Sequence, residues 1–225
     1  METAMPGEQV EASRFTFPAS ESVCSLCEGT GWRRAGNDNG FRRCGCVKAR
    51  LAGGRLAAIP ERFREASFES YRARNERQER AVALVKAAPE GSWYMTGDYA
   101  TGKTHLLYAQ YRELAMAGRT LCHVRTSREL VEELRAVELE HESASPVMAA
   151  AYSRAPYHLF WDDIDKLKLT DFKIEVLFEL VDAVYRRKHG LTVTGNYSLR
   201  ELVEQERMHP AIVRRLDDIC RVIQL

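Results

Sequence analysis

The sequence has no long hydrophobic run. Its apolar stretches last a few residues, against the ~20 that a bilayer-spanning helix needs, and the polar start from Met1 to Val10 lacks the basic-then-apolar pattern of a secretory leader. No membrane association is therefore expected, and the cytoplasm is the expected compartment. An excess of one charge is also missing: 33 Lys and Arg face 32 Asp and Glu, a net charge of +1. Total charge thus argues neither for nor against a nucleic-acid partner. No internal repeat is visible. Aliphatic residues are almost absent between Cys24 and Cys46, so that stretch cannot be held by an apolar core and needs another staple.

What the chain does have fits one full-sized domain and a small appendage. Its 225 residues are 45% hydrophobic and 29% charged, enough to bury a sizeable core and too apolar for wholesale disorder. Residues 1–20 mix Pro, Gly, Ser and Glu without periodicity and are expected to form a mobile tail; residues 21–58 form a small module; residues 59–225 form the main domain, entered through the turn Ile59-Pro60. Charge is unevenly spread. Residues 31–58 hold seven bases (Arg33, Arg34, Arg42, Arg43, Lys48, Arg50, Arg55) and one acid, Asp38, whereas residues 1–30 hold five acids and one base. The basic stretch suits phosphate or an acidic protein surface; a plain solvated face is the alternative.

Six cysteines without an export signal point to metal or redox chemistry before disulfides. Cys24-x-x-Cys27, then sixteen residues, then Cys44-Gly-Cys46 makes two close thiol pairs, the arrangement that tetrahedral Zn²⁺ accepts. Zinc would supply the missing staple. An iron–sulfur cluster and a redox cluster are the other readings. Trp32 and Phe41 beside the arginines give the module the look of a nucleic-acid finger, although zinc modules also dock proteins. Cys122 and Cys220 sit in or beside apolar strand candidates and are expected in the core.

After Pro60, strand and helix patterns alternate. Strands are expected at 93–96, 120–126, 157–161, 191–194 and 221–224, and helices at 102–117, after Thr126, and at 171–188 with Leu177, Leu180, Val181 and Val184 in register. A short helix is expected at 47–56, weakened by Gly53-Gly54. Strands separated by helices of ten or more residues imply parallel pairing and a three-layer α/β sandwich.

Gly97-Asp-Tyr-Ala-Thr-Gly-Lys-Thr104 matches G-x-x-x-x-G-K-[ST] where the chemistry requires it, after a strand and at the start of a helix. The amides of residues 100–104, with Gly97, Ala100, Thr101 and Gly102 shaping the loop, can turn toward a polyphosphate. Lys103 can reach the β/γ-phosphates, and the Thr104 hydroxyl can ligate Mg²⁺. Ala100 stands where many such loops have Gly, and it is expected to serve only with a negative φ. A Gly-rich turn without function is the bland alternative.

Hydrolysis also needs acids at the end of a second strand. His158 to Trp161 followed by Asp162-Asp163 supplies them: Asp162 to hold Mg²⁺, Asp163 to orient or deprotonate the attacking water. Asn196, with Thr194 in reserve, follows the fourth strand and can reach the γ-phosphate or its water. Arg214-Arg215 lies on a short helix, from which an arginine could project into a neighbouring subunit's nucleotide.

In order, these motifs resemble the bacterial replicative-helicase loader family, the DnaC and DnaI type of AAA+ ATPase, from about residue 20 to the end. The echoes are Cys24-Ser-Leu-Cys27-Glu-Gly-Thr-Gly-Trp32, the lead-in Ile59-Pro-Glu-Arg-Phe63, the phosphate loop through Leu106, and Asp162-Asp163. The resemblance implies a P-loop AAA+ core with Asn196 as sensor 1 and Arg215, directly before Leu216, as arginine finger. It implies ATP, Mg²⁺ and Zn²⁺ as cofactors, and as partners a DnaB-type hexameric helicase gripped by the zinc module, single-stranded DNA and further copies of the chain. The expected role is ATP-dependent loading of that helicase at replication initiation. A related IstB-like transposition helper and a non-hydrolysing zinc adaptor are the alternatives. The full helical lid of many AAA+ proteins is not expected.

Overall fold

The computed structural model describes residues 24–34, 40–57, 59–118, 120–140 and 145–225. The tail expected over 1–20 lies outside them, as do the side chains of Arg43, Lys48, Arg50 and Val137. The described chain forms two compact units, one ending at Cys46 and the other running from Val47. No helix among the described residues is long and apolar enough to cross a membrane.

The first unit opens on the turn Cys24 to Cys27, where the Glu28 amide bonds the Cys24 carbonyl at 2.8 Å. Strands β1 (Trp32–Arg34) and β2 (Phe41–Arg43) then pair antiparallel, Trp32 opposite Arg43, Arg33 opposite Arg42 and Arg34 opposite Phe41. Helix α1 (Gly45–Ala57) follows and is longer than its sequence suggests, running through both Gly53 and Gly54. Tertiary bonds of its last turn explain this. Arg55 donates to the Thr120 carbonyl at 2.9 Å, and the Tyr111 hydroxyl donates to the Arg55 carbonyl at 3.0 Å.

The second unit continues with α2 (Glu76–Ala87), β3 (Trp93–Thr96), α3 (Lys103–Ala117), β4 (Leu121–Thr126), α4 (Ser127–Glu140), α5 (Pro146–Tyr152) and β5 (Tyr157–Asp162). It ends with α6 (Asp171–Arg187), β6 (Gly190–Gly195), α7 (Leu199–Glu204), α8 (Pro210–Ile219) and β7 (Arg221–Gln224). The strands pair in the order β4-β5-β6-β3-β7, and every pairing is parallel. All six residues of β5 are buried, as a central strand covered on both faces requires. Its side chains alternate between layers: Tyr157, Leu159 and Trp161 pack with α4, α5, α6 and α8, while Phe160 packs with α3 and the lead-in.

Local chemistry sets the helix starts. Thr126 and Glu129 exchange hydrogen bonds at the head of α4, Ser198 and Glu201 form a full capping box on α7, and Asn75 caps α2. Leu177, Leu180, Val181 and Val184 of α6 are fully buried, and Cys122 and Cys220 lie in the core. Helix α5 was not expected; Ser145 caps it, and Pro146 occupies its first turn.

A buried polar chain crosses the sheet. Gln110 of α3 donates to the carbonyls of Pro89 and Gly91 at 2.7 and 2.9 Å, and its Oε1 accepts from Thr192 at 2.9 Å. Since the Thr192 proton is committed there, Thr192 accepts from His158 Nε2, 2.9 Å away, which fixes the His158 tautomer.

Candidate functional site: a phosphate-loop cleft

The phosphate loop leaves β3 at Thr96 and enters α3 at Lys103. Gly97 has φ 149°, and a Cβ there would lie 2.2 Å from the Leu225 carbonyl oxygen. Gly102 has φ 93°, and its Cβ would lie 2.7 Å from the Tyr71 hydroxyl. Between them Ala100 has φ 60°, which corrects the expectation that it would serve only with a negative φ. The loop path demands a left-handed residue here, and Ala adopts it at a cost of ~1–2 kcal/mol. Its side chain is exposed to solvent. From the segment before α2 and from α2 itself, the Tyr71 hydroxyl and Gln78 Nε2 donate to the Thr101 carbonyl at 2.7 and 3.3 Å and fasten the loop from behind.

Lys103 is buried and donates to the carbonyls of Gly97 and Asp98 at 2.8 and 2.7 Å. Burial holds its ammonium below the usual lysine range, against the opposing pull of Asp163, Asp165, Asp162 and Asp98. One turn on, the Thr104 hydroxyl donates to Asp162 Oδ1 at 3.1 Å. Asp162 ends β5 and is buried; the Thr194 hydroxyl donates to the same oxygen. Burial raises the Asp162 pKa, opposed by those two hydroxyls.

Asp163 turns sharply away, with φ 58°. Its amide donates to Thr194 Oγ1 at 3.0 Å, its carbonyl accepts from Ser127 at 2.7 Å, and its carboxylate pairs with Lys166 at 3.0 Å. Asn196, past the end of β6, is held by Asp165: its amide bonds Oδ1 at 3.1 Å and its Nδ2 bonds Oδ2 at 2.8 Å. Gly102, Lys103, Thr104, Asp162, Asp163 and Asn196 thus line one open cleft of about 620 Å³ at the carboxyl edge of the sheet. Thr104 and Asp162 present oxygens that fit a divalent cation, and Lys103 fits a polyphosphate.

Sequence reading missed several of these residues. Arg62 and Phe63 of the lead-in, and Arg74 just before α2, line the same cleft. Asp165, which positions Asn196, stands only two residues past the acid pair, yet nothing local distinguishes it from a turn aspartate. Arg215 lies elsewhere, on α8 against α6. Its Nε bonds Asp182 Oδ1 at 3.1 Å, and its guanidinium lies 4.5 Å above the Tyr185 ring. Arg214 beside it is exposed.

In the first unit the four Sγ atoms of Cys24, Cys27, Cys44 and Cys46 lie within 4.8 Å of one another. Zn–S bonds of ~2.3 Å place tetrahedral sulfurs roughly 3.8 Å apart. The pair Cys24···Cys44 at 3.9 Å matches that spacing, and Cys27···Cys46 at 3.3 Å is closer. Burial raises the Cys27 thiol pKa, but hydrogen bonds from Cys46 and the Gly31 and Gly29 amides outweigh it and bring it to about 7.

No protein-family model and no curated protein sequence matches the chain. Solved structures do. A DnaC helicase loader superposes with TM-score 0.63 at 19% identity, covering 74% of this chain and 99% of that one. DnaI gives TM-score 0.60 at 17% identity, covering 74% and 91%. The replication initiator DnaA bound to AMPPCP and single-stranded DNA gives TM-score 0.59 at 18% identity, covering 72% and 50%. The five-stranded parallel sheet, its flanking helices and the phosphate loop thus share the fold of these structures, and a small four-cysteine module precedes it in the chain. Within that fold, its structural neighbours include helicase loaders and replication initiators.

Proposed function

We propose that the protein is an ATP-dependent loader of a DnaB-type replicative hexameric helicase onto single-stranded DNA. The observation that carries this reading is the convergence of Lys103, Thr104, Asp162 and Asn196 on one cleft in a fold like that of the loader DnaC. AMPPCP and single-stranded DNA bound to the similar DnaA domain support both ligands.

In this reading Lys103 exchanges its loop carbonyls for the β/γ-phosphates, and Gly97 to Thr104 wrap the chain around them. Thr104 and Asp162 would hold Mg²⁺, which when bound neutralises phosphate charge. Asp163 orients or deprotonates the attacking water, and Asn196, kept in place by Asp165, senses the γ-phosphate or that water. In a self-assembled state Arg215 would leave Asp182 and stabilise charge on a neighbouring subunit's nucleotide. Residues 21–58, folded around Zn²⁺ on Cys24, Cys27, Cys44 and Cys46, would engage the helicase, while residues 59–225 form the ATPase.

Lys103→Ala should abolish ATP binding measured by calorimetry; unchanged affinity removes the site. Arg215→Ala should spare binding and cut turnover measured with DNA and helicase present, and wild-type turnover removes its role in trans. Co-elution with a hexameric helicase, and not with a transposase, separates loading from transposition.

A further inference from the structure

The phosphate-loop cleft holds a second lysine for which the loop motif does not account. Lys166 lines it together with Lys103, Thr104, Asp163 and Asn196. It closes the short 3-10 turn Ile164–Lys166 that follows Asp163, and its ammonium lies 3.0 Å from Asp163 Oδ2. An ion pair between residues three apart can simply steady a turn. This turn has other supports: the Asp163 amide donates to Thr194 at 3.0 Å, and its carbonyl accepts from Ser127 at 2.7 Å and from the Lys166 amide at 3.2 Å. With both backbones pinned, what the ion pair sets is the direction of the two side chains.

The pair is loosely held. The Lys166 side chain is 52% exposed and that of Asp163 32%, and an ion pair in reach of water contributes little to stability. A cation held this way changes partners at small cost, and a phosphate carrying more charge than a carboxylate is the stronger partner. Asp162 and Asp163 both line the cleft, so a triphosphate entering it meets two carboxylates as well as Lys103. If Asp163 faces the attacking water, the ammonium bonded to its carboxylate stands about one water's breadth from the γ-phosphate, on the side away from the loop.

We infer that Lys166 is a γ-phosphate contact, which exchanges the Asp163 carboxylate for that phosphate when ATP binds and leaves the carboxylate to the water. This deepens the ATPase reading and rests on it. A diphosphate offers no group at that position, so Lys166 distinguishes the triphosphate from the diphosphate state.

The test is calorimetric titration of the full-length, zinc-loaded protein with AMPPCP and with ADP, each with Mg²⁺. Lys166→Met should weaken AMPPCP binding about ten-fold and leave ADP binding unchanged, and Lys166→Arg should restore the difference. Asp163→Asn, which releases the lysine, should strengthen AMPPCP binding by at most about five-fold, the worth of an exposed ion pair, and that gain should vanish in the Lys166→Met background. Equal weakening of both nucleotides assigns the ion pair to the turn alone and overturns the inference, as does AMPPCP affinity that ignores Lys166→Met. A gain from Asp163→Asn that persists in the Lys166→Met background comes from relieved repulsion and overturns the exchange. Failure of the ATPase reading shows separately, as a wild type that binds neither nucleotide or an affinity that ignores Lys103→Ala.

Discussion

Thr194 Oγ1 serves both acids of the pair: it donates to Asp162 Oδ1 and accepts the Asp163 amide at 3.0 Å. One hydroxyl thus sets the orientation of the first carboxylate and the left-handed turn that aims the second. Thr194→Val keeps the shape and removes the hydroxyl, leaving the half-buried Asp163 amide without its partner at a cost of about 1 kcal/mol. Thermal denaturation should show that loss. ATP turnover should fall more than ATP affinity, because Lys103 and the loop are untouched, and Thr194→Ser should restore both.

Ala100 holds a left-handed conformation that glycine adopts freely. The strain of ~1–2 kcal/mol exceeds the ~0.5–1 kcal/mol that glycine loses through its more flexible unfolded chain. Ala100→Gly should therefore stabilise the protein by about 0.5–1 kcal/mol, read as a higher urea midpoint at unchanged slope. A lower midpoint would contradict the left-handed turn.

His158 is fully buried, and burial pushes its pKa down to about 3 from the usual 6.5. The folded protein keeps the imidazole neutral, while the unfolded chain binds a proton below pH 6.5. Stability is thus complete above about pH 6.5 and is lost as pH falls toward 3, at ~1.4 kcal/mol per pH unit. Between about pH 7 and pH 5 this site should remove about 2 kcal/mol in denaturant titrations. His158→Gln should flatten that dependence.

Gly190 lies against the same imidazole, and a Cβ there would stand 2.1 Å from His158 Nδ1. The sheet cannot give way on both faces, so Gly190→Ala should cost about 1–3 kcal/mol in equilibrium unfolding. Pairing it with a smaller residue at 158 should recover part of the loss.

Chelation tests the four-cysteine cluster. Wild type should carry one zinc per chain by elemental analysis, and Cys44→Ser should lose it on dialysis against EDTA. The first unit has almost no apolar core, so metal removal should unfold the hairpin, read as protease sensitivity within residues 24–46.

The parts of the site written in consecutive residues were legible before folding. Gly97 to Thr104 and Cys24-x-x-Cys27 carry their chemistry in short spacings, and β5 announces itself as an apolar run ending in two acids. The parts made by strand register were not. Trp161 pairs with Val193, which sets Asp162 beside Thr194, and Asn196 meets Asp165 across the same seam. Neither adjacency exists until β5 and β6 are in register. Arg215 is similar: its helix was legible, but its engagement by Asp182 depends on how α8 packs on α6.

The chain of contacts from the Pro89 and Gly91 carbonyls through Gln110 and Thr192 to His158 ties the segment before β3, helix α3 and strands β6 and β5 in a dry interior. Sliding either strand by one residue would strand a donor or acceptor where water cannot replace its mate. These neutral groups therefore work as a lock on alignment, holding the frame still behind the cleft at the opposite rim of the sheet.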